Sequence, residues 1–159
     1  MGDFLLQLKM EGLTSRLKRL SDALLYSTRD LYKNEGLDIE PNWNLIFRML
    51  QEDEKLTITE ISARLQFSHP AVVKIVNKMK ENGYVEADGD KDDKRKQILK
   101  LTTYAKQRIA RLEPYWEAGT EVTAELLANS PNFMNELQEI ENLLNQRSYK
   151  ERALEKLNP

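Results

Sequence analysis

Residues Leu56 to Thr102 read LTITEISARLQFSHPAVVKIVNKMKENGYVEADGDKDDKRKQILKLT, and this stretch decides the fold. Leu56, Thr57 and Ile58 suit a very short strand. Thr59 is positioned to cap a helix that continues through Glu60, Ile61 and Leu65. Gln66 and Phe67 make a turn. Ser68, His69 and Pro70 open a second helix, with Pro70 in its first turn and either Ser68 or His69 as its cap. Asn82 and Gly83 close that helix. Tyr84 to Ala87 reads as a strand, DGDKDDK as a turn-rich charged tip, and Gln97 to Leu101 alternates as a half-buried strand does. Helix, turn, helix and hairpin in that order form a winged helix-turn-helix, a module that lays its second helix in the DNA major groove.

The second helix separates its faces. Val72, Ile75, Val76 and Met79 follow i, i+3, i+4, i+7 and are expected to pack inward. Ala71, Val73, Lys74, Asn77 and Lys78 fall toward the other side. Lys74 and Lys78 stand one turn apart, where they reach phosphates or guanine edges. Asn77 suits adenine or a phosphate, and Ala71 and Val73 suit thymine methyls. Ser68 and His69 are placed on the DNA-binding face at the helix start, where His69 is positioned to bond a phosphate, against the alternative of a plain helix-start residue. An amphipathic helix with solvated lysines would use the same residues; the neighbouring turn and hairpin favour the DNA reading. In the wing, Lys91, Lys94, Arg95 and Lys96 can follow the backbone and place one cation in the minor groove. Asp93 is read as pairing with Arg95 to shape the tip, against the alternative of a solvated turn.

Outward from this core the chain is helical. Phe4 to Tyr32 carries leucines at helical spacing, with Gly12 as a start or bend point. LDIEPNW makes an extended entry, and Pro41 is expected in the first turn of a helix ending near Glu52. Thr102 caps a long helix to about Asn129, with Pro114 a candidate kink. A final helix is expected from Ser130 and Pro131 through Leu157.

The 159 residues carry 40% hydrophobic and 31% charged residues, enough for a buried core. The net charge of −2 hides an uneven distribution. Arg64 to Arg111 holds twelve Lys and Arg against six Asp and Glu, a local +6 that leaves −8 elsewhere. A basic block between acidic flanks suits a nucleic-acid-reading core in a helical scaffold. With no cysteine and one histidine, disulfides, thiol redox chemistry and the usual zinc sites are excluded. The start MGDFLLQLKMEG lacks a basic, apolar leader, and no run approaches the roughly 18 apolar residues of a membrane span. These features predict a cytoplasmic protein without membrane contact. No nucleophile–base pair, metal cluster or Gly-rich phosphate loop stands out, so no enzyme activity and no cofactor are expected.

The wing pattern Asp93, Arg95, Leu101, Thr102, with Asp90 upstream, resembles that of the multiple-antibiotic-resistance regulator (MarR) family. Leu56 to Leu65, Val72, Val76 and Gly83-Tyr84-Val85 sit where that family has its first helix, its recognition helix and its step into the wing. Departures fall at Pro70-Ala71, Val73, Lys91 and Ala105, so base-reading roles do not carry over residue by residue. LDIEPNW and SHPAVVKIV look like a branch of the family often fused to a GNAT-type acetyltransferase domain, which these 159 residues do not contain.

The resemblance implies a mainly α fold with a small antiparallel β wing. It implies one MarR-like domain over residues 1–159, with residues 1–35 and 103–159 as helical dimerisation region and residues 40–102 as the DNA-binding lobe. It implies a homodimeric transcription regulator whose affinity for double-stranded DNA responds to a small-molecule effector. Tyr26, Trp43, Phe47, Tyr115 and Trp116 lie near where family pockets lie, although aromatics at helical spacing more often serve the core. Leu5, Leu8, Leu13 and Leu17, with Leu137, Ile140, Leu144 and Leu154, suit a dimer interface or a monomeric bundle. Two alternative functions remain: a winged-helix protein-interaction module, or a regulatory partner of a GNAT-type acetyltransferase.

Overall fold

The computed structural model describes residues 2–89 and 97–158. Its elements are α1 (Phe4–Gln7), α2 (Leu13–Asn34), α3 (Trp43–Glu52), β1 (Leu56–Thr57), α4 (Ile58–Leu65), α5 (His69–Glu81), β2 (Val85–Gly89), β3 (Gln97–Leu101), α6 (Thr103–Leu126), α7 (Phe133–Gln146) and α8 (Tyr149–Leu157). The protein is mainly α with one small sheet, as the sequence pattern predicts. The chain divides into two compact units at Pro114. That proline lies inside α6, which continues as helix to Leu126.

In the first unit the strands run antiparallel in the order β1-β3-β2. Leu56 pairs with Leu99, and Val85 with Leu101. This register puts Leu56, Val85, Leu99 and Leu101 into the core, where Ile46, Phe47, Ile61, Val72, Val76, Met79 and Tyr84 meet them almost fully enclosed. Tyr84 is the aromatic hub. Its ring packs edge-on against Trp43 at 5.7 Å and Phe47 at 5.4 Å, and tilts against Tyr104 at 5.2 Å.

Local chemistry sets the boundaries and corrects several expectations. Thr57, not Thr59, caps α4. It closes a capping box in which Glu60 N–H donates to Thr57 Oγ1 at 3.2 Å and Thr57 N–H donates to Glu60 Oε2 at 2.7 Å. Pro41 precedes α3 rather than entering it, since Asn42 holds the cap position. Gly12 separates α1 from α2, and a Cβ there would meet the Leu5 carbonyl oxygen at 2.5 Å. The hairpin strand starts at Val85, one residue later than expected. Tyr84 is instead part of the α5 exit, where Gly83 takes φ +73° and Tyr84 N–H donates to Met79 O at 2.9 Å.

In the second unit, the expected single final helix is two. Ser148 starts α8 with its own capping box to Glu151, at 3.2 Å and 2.8 Å, and Arg147 is extended. No described residue of α7 or α8 is buried.

Candidate nucleic-acid interface

The geometry of the interface starts with the turn between α4 and α5. Gln66 ends α4 in the left-handed conformation at φ 53°, and its N–H donates to Ser62 O. Ser68 then begins α5: its Oγ accepts from Ala71 N–H at 3.4 Å, and Pro70 occupies the first turn. The open choice of cap is therefore resolved as Ser68. His69 is the first helical residue and is exposed.

On α5, Val72, Val76 and Met79 are no more than 1% exposed. Lys74, Asn77 and Lys78 are exposed on the opposite side, together with Ala71 and Glu81. Among the described residues neither lysine is paired with an acid. Two expected assignments change. Val73 is half-buried rather than open, and Ile75 is half-buried rather than core. Helical angle explains both, since each lies on a flank between the packed and open faces. Glu81 is an acid on the open face that the sequence reading left out. Its i+7 spacing from Lys74 was the available signal.

Several of the described cations elsewhere in the basic block are already engaged. Arg64 is bound to Glu52 at 2.9 Å and to Asp53. Lys100, on β3, meets Asp88 at 2.8 Å and Glu86 at 3.5 Å, and this pairing raises the lysine pKa and lowers that of Asp88. Lys80 Nζ reaches Gln97 Oε1 at 3.5 Å, tying α5 to the wing base. The wing-tip positions Lys91, Asp93, Lys94, Arg95 and Lys96 lie outside the described residues.

Beside α5 run two open clefts of about 430 and 340 Å³ that share Arg29, Glu40, Trp43 and Lys78. Arg29 Nε donates to Glu40 Oε2 at 2.9 Å, which raises the arginine pKa. Lys74, Ile75 and Phe67 line the smaller cleft, Lys33 and Asp38 the larger. Of the five aromatics expected at a ligand site, Trp43 borders both clefts but is itself core, with 3% of its surface exposed. Phe47 has no exposed surface and is core. Tyr26 is exposed on α2, with the Arg29 guanidinium 5.7 Å from its ring centre. Tyr115 and Trp116 belong to the second unit, half-buried and buried respectively. Arg29 and Glu40 had no local sequence signal, because they meet only when α2 and the following loop fold together.

A family model described as the MarR family matches residues 37–96. The chain is 30% identical over 122 residues to the HTH-type transcriptional repressor IacR of Pseudomonas putida, which covers 77% of this chain and 68% of that protein. The chain belongs to the MarR family. MarR proteins are DNA-binding transcription regulators, and the winged helix-turn-helix described above is their DNA-binding module.

Solved structures of similar fold include overoxidized AbfR bound to DNA, at TM-score 0.67 and 20% identity over 88% of this chain and 96% of that one. Another is Bordetella bronchiseptica BpsR, in a study of how 6-hydroxynicotinic acid regulates its DNA binding. It has TM-score 0.67 and 14% identity over 80% of this chain and 91% of that one. At these identities the likeness speaks to the fold. Among the described residues of this MarR protein, no helix is long and apolar enough to cross a membrane.

Proposed function

We propose that the chain acts as a homodimer that reads a near-palindromic operator, with one α5 in each of two successive major grooves. The observation that carries this reading is α5 itself. Its apolar side is sealed against the first unit, and its open side presents Lys74, Asn77 and Lys78 from a helix start fixed by Ser68. Lys74 and Lys78 take phosphates or guanine edges, and Asn77 takes adenine or a phosphate. The wing cations Lys91, Lys94, Arg95 and Lys96 are assigned to the flanking backbone and minor groove. Val73, half-buried, is left with a contact to a thymine methyl at most, and Ser68 serves first as cap.

A random pool of duplexes, selected on the full-length protein and sequenced, tests this reading. The expected product is an inverted repeat with half-site centres about one helical turn apart. Its affinity should fall steeply with salt as counterions are released. Equal, weak retention of all duplexes would overturn the reading.

The same α5 borders the clefts, so a small molecule held there, beside the nearly enclosed Trp43, would meet Lys78 and compete with the phosphate contact of that lysine. We assign effector control to this place. In Trp116→Phe protein, compounds that release DNA should change the Trp43 emission. Release without any change would move the effector elsewhere.

A further inference from the structure

The exit of α5 is fastened to the scaffold through one carboxylate. Asp38 lies in the loop after α2, a loop whose neighbours Leu37 and Ile39 are buried and whose Leu37 N–H donates to Tyr32 O at 2.8 Å. Three donors converge on that carboxylate. Tyr84 donates its hydroxyl to Asp38 Oδ1 at 2.5 Å, Arg108 Nη2 donates to the same oxygen at 3.0 Å, and the Tyr104 hydroxyl stands 3.5 Å from Oδ2. The Arg108 guanidinium lies 5.5 Å from the Tyr104 ring centre, and Arg111 Nη2 donates to Glu35 O at the end of α2 at 3.4 Å. Thr102 completes the join: its Oγ1 donates to Gly83 O at 2.6 Å and accepts from Ala105 N–H at 3.0 Å. The residues just after α5, the end of α2 and the first turns of α6 therefore meet at one point.

Burying a tyrosine ring does not require this arrangement. The Tyr84 ring is already held by Trp43, Phe47 and Tyr104, so a phenylalanine would fill the same space. What the hydroxyl adds is direction: a short bond to a charged acceptor that fixes where α5 leaves the core relative to α2. A hydrogen bond to a charged group, part-buried, resists displacement more than a neutral one does. We assign the dimer contact to the exposed leucines of α2, Leu13, Leu17, Leu20, Leu24 and Leu31. A fixed angle between α2 and α5 therefore becomes a fixed distance between the two recognition helices.

We propose that Asp38, Tyr84 and Arg108 form a positioning clamp that sets the half-site spacing the dimer accepts. This rests on the dimeric DNA reading above. None of the three residues needs to touch DNA; they act through the placement of α5.

The test separates clamp from general stability. Half-sites recovered by the wild-type protein are built into duplexes whose spacing changes one base pair at a time around one helical turn. Wild type should favour one spacing over its neighbours by about tenfold. Tyr84→Phe, and independently Asp38→Asn, should reduce that preference by about fivefold. Tyr104→Phe should do little, since its hydroxyl stands at 3.5 Å. A uniform loss of affinity with the spacing preference intact in both variants overturns the clamp.

The chain has no cysteine, so Asn77→Cys gives a single spin-label site per protomer. Without DNA, the label-to-label distance distribution should broaden on adding Tyr84→Phe, and an identical distribution also overturns the clamp. Absence of any dipolar coupling, or of any selected duplex, overturns the dimeric reading itself and the clamp with it.

Discussion

Helices α2 and α5 are both amphipathic, yet they finish their apolar faces in different ways. On α5 the apolar residues Val72, Val76 and Met79 are sealed within the first unit. On α2, Leu13, Leu17, Leu20, Leu24 and Leu31 remain between 42% and 51% exposed. Their steps of four, three, four and seven residues form a heptad seam, a pattern that suits another helix. The difference teaches what each open surface is for. The open side of α5 is cationic and polar and needs an anionic partner. The open side of α2 is aliphatic and needs an apolar one, which the proposed second copy supplies.

The strongest way to break this comparison is to exchange the two kinds of damage. Ile61→Ala, in the sealed core beside α5, should cost about 2–5 kcal/mol, read from chemical denaturation. Leu20→Lys with Leu24→Lys should barely alter the far-ultraviolet spectrum of the protein but should turn the dimer into monomer in sedimentation. A dimer that survives both lysines would mean the α2 seam is not the interface.

A second prediction concerns the join between the two helices. Burial of the Tyr84 ring, and then its hydrogen bond to the Asp38 carboxylate, push the phenol above its ordinary value of 10.0. A folded-state pKa above the unfolded one gives stability that is fully present below pH 10 and lost as pH rises toward the folded value. The loss for one such proton cannot exceed about 1.4 kcal/mol per pH unit. Tyr84→Phe should therefore show a flatter decline than wild type in denaturation series at pH 9, 10 and 11. Parallel declines would mean the hydroxyl is not held as the geometry indicates.

A third prediction sharpens the α5 side. Lys78→Ala should weaken DNA binding by about tenfold across sequences and lower the salt slope by about one. Glu81→Gln should strengthen it by about two- to threefold, because an acid no longer faces phosphate. Titrations at several salt concentrations check both. A weakened complex with Glu81→Gln would place that side chain on a base, where a carboxylate accepts from cytosine.

Much of this arrangement was legible from local pattern, and the misses share a cause. The order of helix, turn, helix and hairpin follows from period, caps and turn residues, each decided within about four positions. Even the misplaced boundaries had local signals. Thr57-x-x-Glu60 and Ser148-x-x-Glu151 are both capping boxes by spacing, and the second marks the break that splits the final helix. Ile75 and Val73 show the limit of a helical wheel: it gives the angle, but not how far neighbouring elements reach around the flank. The clamp had no such signal. Tyr84 lies 46 residues from Asp38, and Arg108 lies 70 residues from it, so nothing in either neighbourhood encodes the pairing. Phe47 was ambiguous for the opposite reason, since an aromatic at helical spacing looks the same whether it fills a core or lines a cleft.

The smallest effect is expected at the hinge of the helix pair. Gln66 adopts φ 53°, a left-handed conformation that a side chain makes unfavourable by about 1 kcal/mol. Glycine removes that steric cost but enlarges the freedom of the unfolded chain, and the two terms partly cancel. Gln66→Gly should therefore change stability by less than about 1 kcal/mol. Gln66→Val should cost more, because a β-branched residue fits that conformation worst. If α5 is held at both ends, by Ser68 with its core face and by Tyr84 through Asp38, neither change should alter the spacing preference of the dimer. A shift in spacing with Gln66→Gly would mean that the turn, rather than the exit of α5, governs where the recognition helix sits.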